Sequence, residues 1–233
     1  MSIEIEVLAS GSSGNCYLLD DGESPLLIEA GIPIAKIREG TGFRIGRLAG
    51  CITSHLHADH CKAVRNLMAL GVDCFMSQPT ADALKLSGHR LHVVKHDQLF
   101  NVGPWAVKAF EVEHDCAGAL GFLIVRNGET TLFLTDTAYS KYRFHGVNRL
   151  MIEANFDEDI IRGNVASGEV DRAVKRRVYG SHMSINRVLE FLKANDLSQL
   201  REVWLLHLSE KNSSADDFKL AVQRITGCPV YIA

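Results

Sequence analysis

Four side chains able to bind a metal ion, His55, His57, Asp59 and His60, fall within six consecutive residues. No other feature constrains the fold of this chain as tightly. Histidines two apart point the same way on an extended backbone. Asp59 and His60 follow so closely that the chain must turn for both to face one centre. Residues 48–53, just ahead, are short and apolar, as a buried strand is. Residues 62–70, just behind, carry apolar side chains at helical spacing and stop at Gly71, a C-cap signal. The cluster therefore belongs on a strand-to-helix turn, where a rigid scaffold presents functional groups.

The pattern of a donor at a strand end recurs. Residues 105–112 read as a strand leading into Glu113-His114-Asp115. Residues 131–135 are apolar and close on Asp136, and 202–206 close on His207. An acid directly after a buried apolar strand is costly unless it is paired or bound to metal. Residues 25–31 form another such strand, with Glu29 near its end, either a simple solvated strand end or a group that holds a ligand imidazole from behind. Five imidazoles (His55, His57, His60, His114, His207) and two carboxylates (Asp59, Asp136) exceed what one tetrahedral ion takes. They suit two divalent ions sharing a carboxylate, and a thiolate-free set points to Zn, Mn or Fe. His89, His92 and His96 lack tight spacing and read as ordinary residues.

The remaining segments supply a scaffold. Residues 3–9 and 16–19 read as strands flanking the small-residue loop Ser10-Gly11-Ser12-Ser13-Gly14-Asn15. No Gly-Lys-Ser/Thr follows, so this is not a phosphate-binding P-loop. Further strands are expected at 74–77, 149–154 and 229–232. Helices are expected at 33–39, 79–86, 216–225 and 185–195, the last capped by Ser184. Residues 163–180 are polar and hold Arg172, Lys175, Arg176 and Arg177, either a solvated helix face or a phosphate-contacting patch. Two β-rich halves with interspersed helices predict a mixed α/β fold in which helices cover packed sheets.

The 233 residues, 46% hydrophobic, suffice for one globular domain, taken as residues 1–233. No run approaches the ~20 apolar residues of a membrane span. Residues 1–6 alternate and are acidic, a strand and not a signal peptide. Six cysteines form no C-x-x-C pair, so free thiols in a cytoplasmic protein are expected. A net charge of −3 excludes a surface coated in basic residues and leaves room for a local patch. Oligomeric state is not assigned.

The motif His55-x-His57-x-Asp59-His60, followed in order by His114, Asp136 and His207, resembles the metallo-β-lactamase-fold hydrolases over nearly the whole chain. The 10–15 loop, Ser181-His182-Met183-Ser184 and His207-Leu208-Ser209-Glu210-Lys211-Asn212 are similar to the YycJ/WalJ-like branch, whose members are regarded as DNA exonucleases. The resemblance implies a four-layer αββα sandwich with the site at one edge. His55, His57 and His114 would hold one metal, Asp59, His60 and His207 the other, and Asp136 would bridge them. It further implies hydrolysis of a phosphodiester, DNA above all, by a hydroxide between the metals. Asp59 would orient it and accept its proton. His182 would contact a non-bridging oxygen or protonate the leaving group. Ser12, Ser13, Asn15, Ser184, Arg176, Lys211 and Asn212 are the candidate substrate contacts. The family usually has Asp where this chain has Glu29, so the reach of that carboxylate differs. Small-molecule phosphodiesterases and glyoxalase-II-like thioester hydrolases share the ligands and remain the alternatives. Flavodiiron oxidoreductases usually have Glu at the position of His57 and an attached flavin domain. Inactive binding modules normally lose ligands, and this chain keeps all seven.

Overall fold

The computed structural model describes residues 3–233; the expected opening strand falls outside it only at Met1 and Ser2. The chain forms two units. One runs through Glu111 and includes Cys116–Glu129; the other consists of Val112–Asp115 and Thr130–Ala233.

In the first unit, β1 (Glu4–Ala9), β2 (Cys16–Asp20), β3 (Leu26–Ile28), α1 (Ile34–Gly40), β4 (Gly50–Ile52), α2 (Ala58–Cys61), α3 (Val64–Ala69), β5 (Cys74–Met76), α4 (Gln78–Ala83) and β6 (Leu91–Val93) build a six-stranded sheet in chain order. β1, β2 and β3 pair antiparallel, and β3 to β6 are parallel. β3, β4 and β5 are apolar throughout and wholly buried, as parallel strands covered on both faces must be. Leu27, Cys51 and Cys74 pack with Ile37, Val64, Leu67 and Ala81 from the helices. A further antiparallel set, β7 (Leu99–Val102), β8 (Trp105–Glu111) and β9 (Leu120–Arg126), completes this unit. β6 and β7 were not assigned from the sequence, because His92 and Asn101 interrupt their apolar residues and neither strand is a continuous buried run like β4 or β5.

The expected helix at 62–70 is broken in two. Ala63 leaves helical geometry to donate its N–H to the Ala30 carbonyl (2.8 Å), so the helix begins early, at Ala58, and restarts at Val64. Asp59 and His60 therefore ride on a helical turn, and His57 is its N-cap. Gly71 follows the C-cap with φ +88°, the left-handed geometry that ends a helix.

The second unit holds a parallel set, β10 (Glu129–Leu134, from Thr130 onward), β11 (Arg149–Glu153), β12 (Glu202–Leu206) and β13 (Val230–Ile232). Its helices are α5 (Glu158–Ser167), α6 (Arg172–Ser181), α7 (Ile185–Ala194) and α8 (Ala215–Thr226). The polar 163–180 stretch is the end of α5, a left-handed cap at Gly168 and most of α6. Ser184 caps α7 as expected, its Oγ accepting from Arg187 N. The register decides what meets what. Leu134 pairs with Ile152, and Ile152 with Leu205. Asp136, Glu153 and His207 thus leave three neighbouring parallel strands at nearly one level. Among the described residues no helix is long and apolar enough to cross a membrane.

Candidate metal centre

In the first unit the donors come from two adjacent strand ends. Ile28 pairs with Ile52, so Glu29 after β3 emerges beside the 53–57 segment after β4. The His55 Nδ1 contacts Ser54 Oγ at 2.8 Å, which leaves Nε2 facing His57 Nδ1 at 3.1 Å. His55 and His60 rings lie 4.1 Å apart, and His60 Nε2 is 3.4 Å from Asp59 Oδ2. Three imidazoles and a carboxylate thus crowd one corner. Glu29 is fully buried, accepts from Ser54 N at 3.1 and 3.3 Å, and has Oε1 3.6 Å from His60 Nδ1. Burial pushes its carboxyl up, and His60 and Ser54 offset only part of that. Its longer side chain therefore stands behind His60 without a close hydrogen bond to it.

Asn15 braces this corner from below. Its Oδ1 accepts from Gly11 N and Tyr17 Oη, both at 3.0 Å. Its Nδ2 donates to Gly11 O and lies 3.1 Å from His60 Nε2. Gly31 packs so close that a Cβ there would overlap the Asp59 carbonyl oxygen.

In the second unit Asp136, Glu153, His182 and His207 each offer a ligand atom, all within 4.8 Å of one another. His207 Nδ1 lies 2.8 Å from Asp136 Oδ1 and 3.2 Å from Glu153 Oε1. His114 donates from Nδ1 to the Ser181 carbonyl (2.9 Å), which turns Nε2 toward Asp136 Oδ2 at 3.9 Å. That backbone acceptor fixes the tautomer a metal ligand needs. Burial pulls the His114 pKa down, favouring the neutral ring, against the pull of Asp136 and Asp115. At His207 burial also acts downward, but Asp136 and Glu153 outweigh it and push the ring up to about 10. Two buried carboxylates thus demand a positive charge at this spot, and the donor set suits a divalent cation.

Glu153 is the residue that reading the sequence missed. It is fully buried, accepts from Thr137 N (3.2 Å) and Met183 N (3.1 Å), and holds His182 Nδ1 at 2.6 Å. Burial pushes its carboxyl up, but His182 and its hydrogen bonds pull it lower than usual. His182 is raised in turn, Glu153 and Asp136 prevailing over burial. The signal was available, since Glu153 ends an apolar strand as Glu29 does. Glu29, Asp136 and His207 also carry positive φ angles of 64°, 40° and 54°, a strain concentrated where strand ends present donors.

The candidate substrate contacts separate by exposure. Ser12, Ser13, Arg176 and Lys211 are exposed, whereas Asn15, Ser184 and Asn212 are buried. Ser184 Oγ donates to Glu158 Oε1, and Asn212 Nδ2 and N both meet Ser209 Oγ. His92 pairs with Asp73 and stacks on Phe75, and His96 accepts from Glu111 N; both serve structure.

Imidazole and carboxylate donors at the ends of parallel strands, held from behind by buried polar groups, suit a divalent metal ion, and with the relatives that follow they mark a metal-dependent hydrolase. The beta-lactamase superfamily domain matches residues 29–208, and the chain belongs to that family. It is 26% identical to exodeoxyribonuclease WalJ of Streptococcus pneumoniae serotype 2, covering 91% of this chain and 84% of the relative. It is likewise 26% identical to exodeoxyribonuclease YycJ of Bacillus anthracis, over 97% and 89%. The metallo-β-lactamase fold protein YhfI of Bacillus subtilis superposes with a TM-score of 0.73 at 18% identity, covering 100% and 97%. The fold is therefore the expected mixed α/β metallo-β-lactamase fold, with two sheets.

Proposed function

We propose that this chain is a dinuclear-metal phosphodiester hydrolase that digests DNA from an end. The substrate class is carried by the match, over nearly the full length of both chains, to two relatives named exodeoxyribonucleases. His55, His57 and His114 would hold one metal, Asp59, His60 and His207 the other, with Asp136 shared by both. When bound, two divalent ions acidify water and neutralise charge developing on the phosphoryl group. Asp59, at the first turn of α2 with its side chain 24% exposed, orients the attacking water and takes its proton. Glu153 holds His182 Nδ1 at 2.6 Å and, with Asp136, raises the ring's pKa, which favours the protonated imidazolium and aims Nε2 away from the carboxylate. Nε2 then serves a phosphate oxygen or the departing hydroxyl, a role worth about 10²–10⁴ in rate.

The test is digestion of end-labelled single- and double-stranded DNA with added Mn²⁺. Wild type should shorten one end stepwise. His57→Ala should lose metal and activity together; His182→Ala should keep its metal and slow at least about 100-fold. Unchanged rates in His182→Ala would remove its assigned role. Metal-loaded wild type that leaves DNA intact but cleaves a small phosphodiester or a thioester would overturn the nuclease reading.

A further inference from the structure

A cavity of about 190 Å³ opens in the second unit between the loop after β10 and helix α7, lined by Tyr139, Ser140, Arg143, Arg187, Glu190 and Phe191 among others. None of these residues belongs to the donor sets. The wall carries two guanidiniums against one carboxylate. Among the described residues, neither Arg143 nor Arg187 has an acid within ion-pair distance. Arg143 is exposed and donates only to the Tyr142 carbonyl (3.2 Å). Arg187 donates from Nη1 to the Ala138 and Tyr179 carbonyls, which leaves its Nε and Nη2 donors unused. Ser140 is 5% exposed, and its buried Oγ has no hydrogen-bond partner. A buried hydroxyl beside unpaired guanidiniums is costly unless a ligand completes it. One anionic acceptor would serve the hydroxyl and both guanidiniums at once. The volume is below the ~300 Å³ of ordinary small-molecule pockets, so it suits a single phosphate and not a larger ligand. Tyr139 stands at the rim, 46% exposed, offering a ring to a neighbouring base.

The cavity is tied to the catalytic residues by two short pieces of chain. Ser140 lies four residues after Asp136, at most about 14 Å away, the rise of about four stacked nucleotides. Met183, which also lines the cavity, directly follows His182. Arg187 pins the Ala138 carbonyl at 2.6 Å, so the loop and α7 are held together. We propose that this cavity binds a backbone phosphate of the substrate strand, one to a few nucleotides from the bond that is cut. Arg143, Arg187 and the Ser140 hydroxyl contact the phosphate, and Tyr139 stacks on the adjoining base.

The assignment rests on the nuclease reading above, and its test separates the two. Steady-state rates of wild type, Arg143→Ala and Tyr139→Ala, all loaded with Mn²⁺, would be compared on fluorescein-labelled tetrathymidylate and on bis(p-nitrophenyl) phosphate. Both substituted side chains are exposed, so folding should survive. The expected result is a KM about tenfold higher for the tetranucleotide in each variant, with kcat and the small-ester rates unchanged. Wild type that digests the tetranucleotide while both variants match its KM would overturn the cavity assignment and leave the nuclease reading standing. So would variants that lose only inhibition by 5′-thymidylate, because the cavity would then hold a released mononucleotide. Wild type that cleaves the small ester but neither binds nor digests the tetranucleotide would overturn the nuclease reading, and this assignment with it.

Discussion

Glu29 and Glu153 make a natural pair. Each ends a parallel strand, each is wholly buried, and each stands behind a histidine of a donor set. Their carboxyls nevertheless move in opposite directions, Glu29 upward and Glu153 downward. Burial acts on both alike. The difference lies in partners. Glu29 has one backbone N–H, from Ser54, and an imidazole 3.6 Å away. Glu153 has two backbone N–H groups, from Thr137 and Met183, and imidazoles at 2.6 and 3.2 Å. A buried carboxylate keeps its charge only where donors replace the water it lost. The second unit thus carries a fixed anion behind its histidines, and the first unit a group that burial drives toward the neutral acid.

The largest expected effect bears on how the first unit holds its donors. Gly31→Ala should destabilise the protein by about 3 kcal/mol or more, because backbone must move to clear the Asp59 carbonyl. Thermal melting with metal analysis would read this, and metal content should fall as α2 shifts. Unchanged metal and melting would mean that the corner does not depend on the Gly31 contact.

Glu153→Gln should lower metal affinity or activity about 10–100-fold. It should also move the alkaline limb of the rate profile to lower pH. The sign follows from His182, whose pKa is raised: its proton is available below that value and is lost as pH rises through it. Removing the Glu153 charge lowers the value. A limb that stays in place would detach His182 from the proton transfer.

Glu29→Gln should be the mildest change, within about threefold in kcat and metal affinity, because an amide resembles the neutral acid that burial favours. If it empties the site as Glu153→Gln would, the contrast between the two glutamates collapses.

Much of the site was legible because the crucial residues are contiguous or sit at strand ends. His55, His57, Asp59 and His60 announce themselves by spacing alone, and Asp136 and His207 by following apolar runs. Glu153 escaped because a strand-end acid has a simple solvated reading, which only its burial and four partners exclude. Asn15 was legible as part of a tight loop, but its amide under His60 was not, since that contact joins positions 45 apart in the chain.

The sequence by itself determined the donor types, their order, the alternation of short apolar strands with helices and hence the fold, since local period and ligand spacing are properties of neighbouring residues. Tertiary structure alone decided the rest. Parallel register set Asp136, Glu153 and His207 at one level, and the close passage of Gly31 placed Asp59 and His60. The count of N–H donors around each buried glutamate decided which of the two keeps its charge, because charge in a protein interior depends on what has replaced the water.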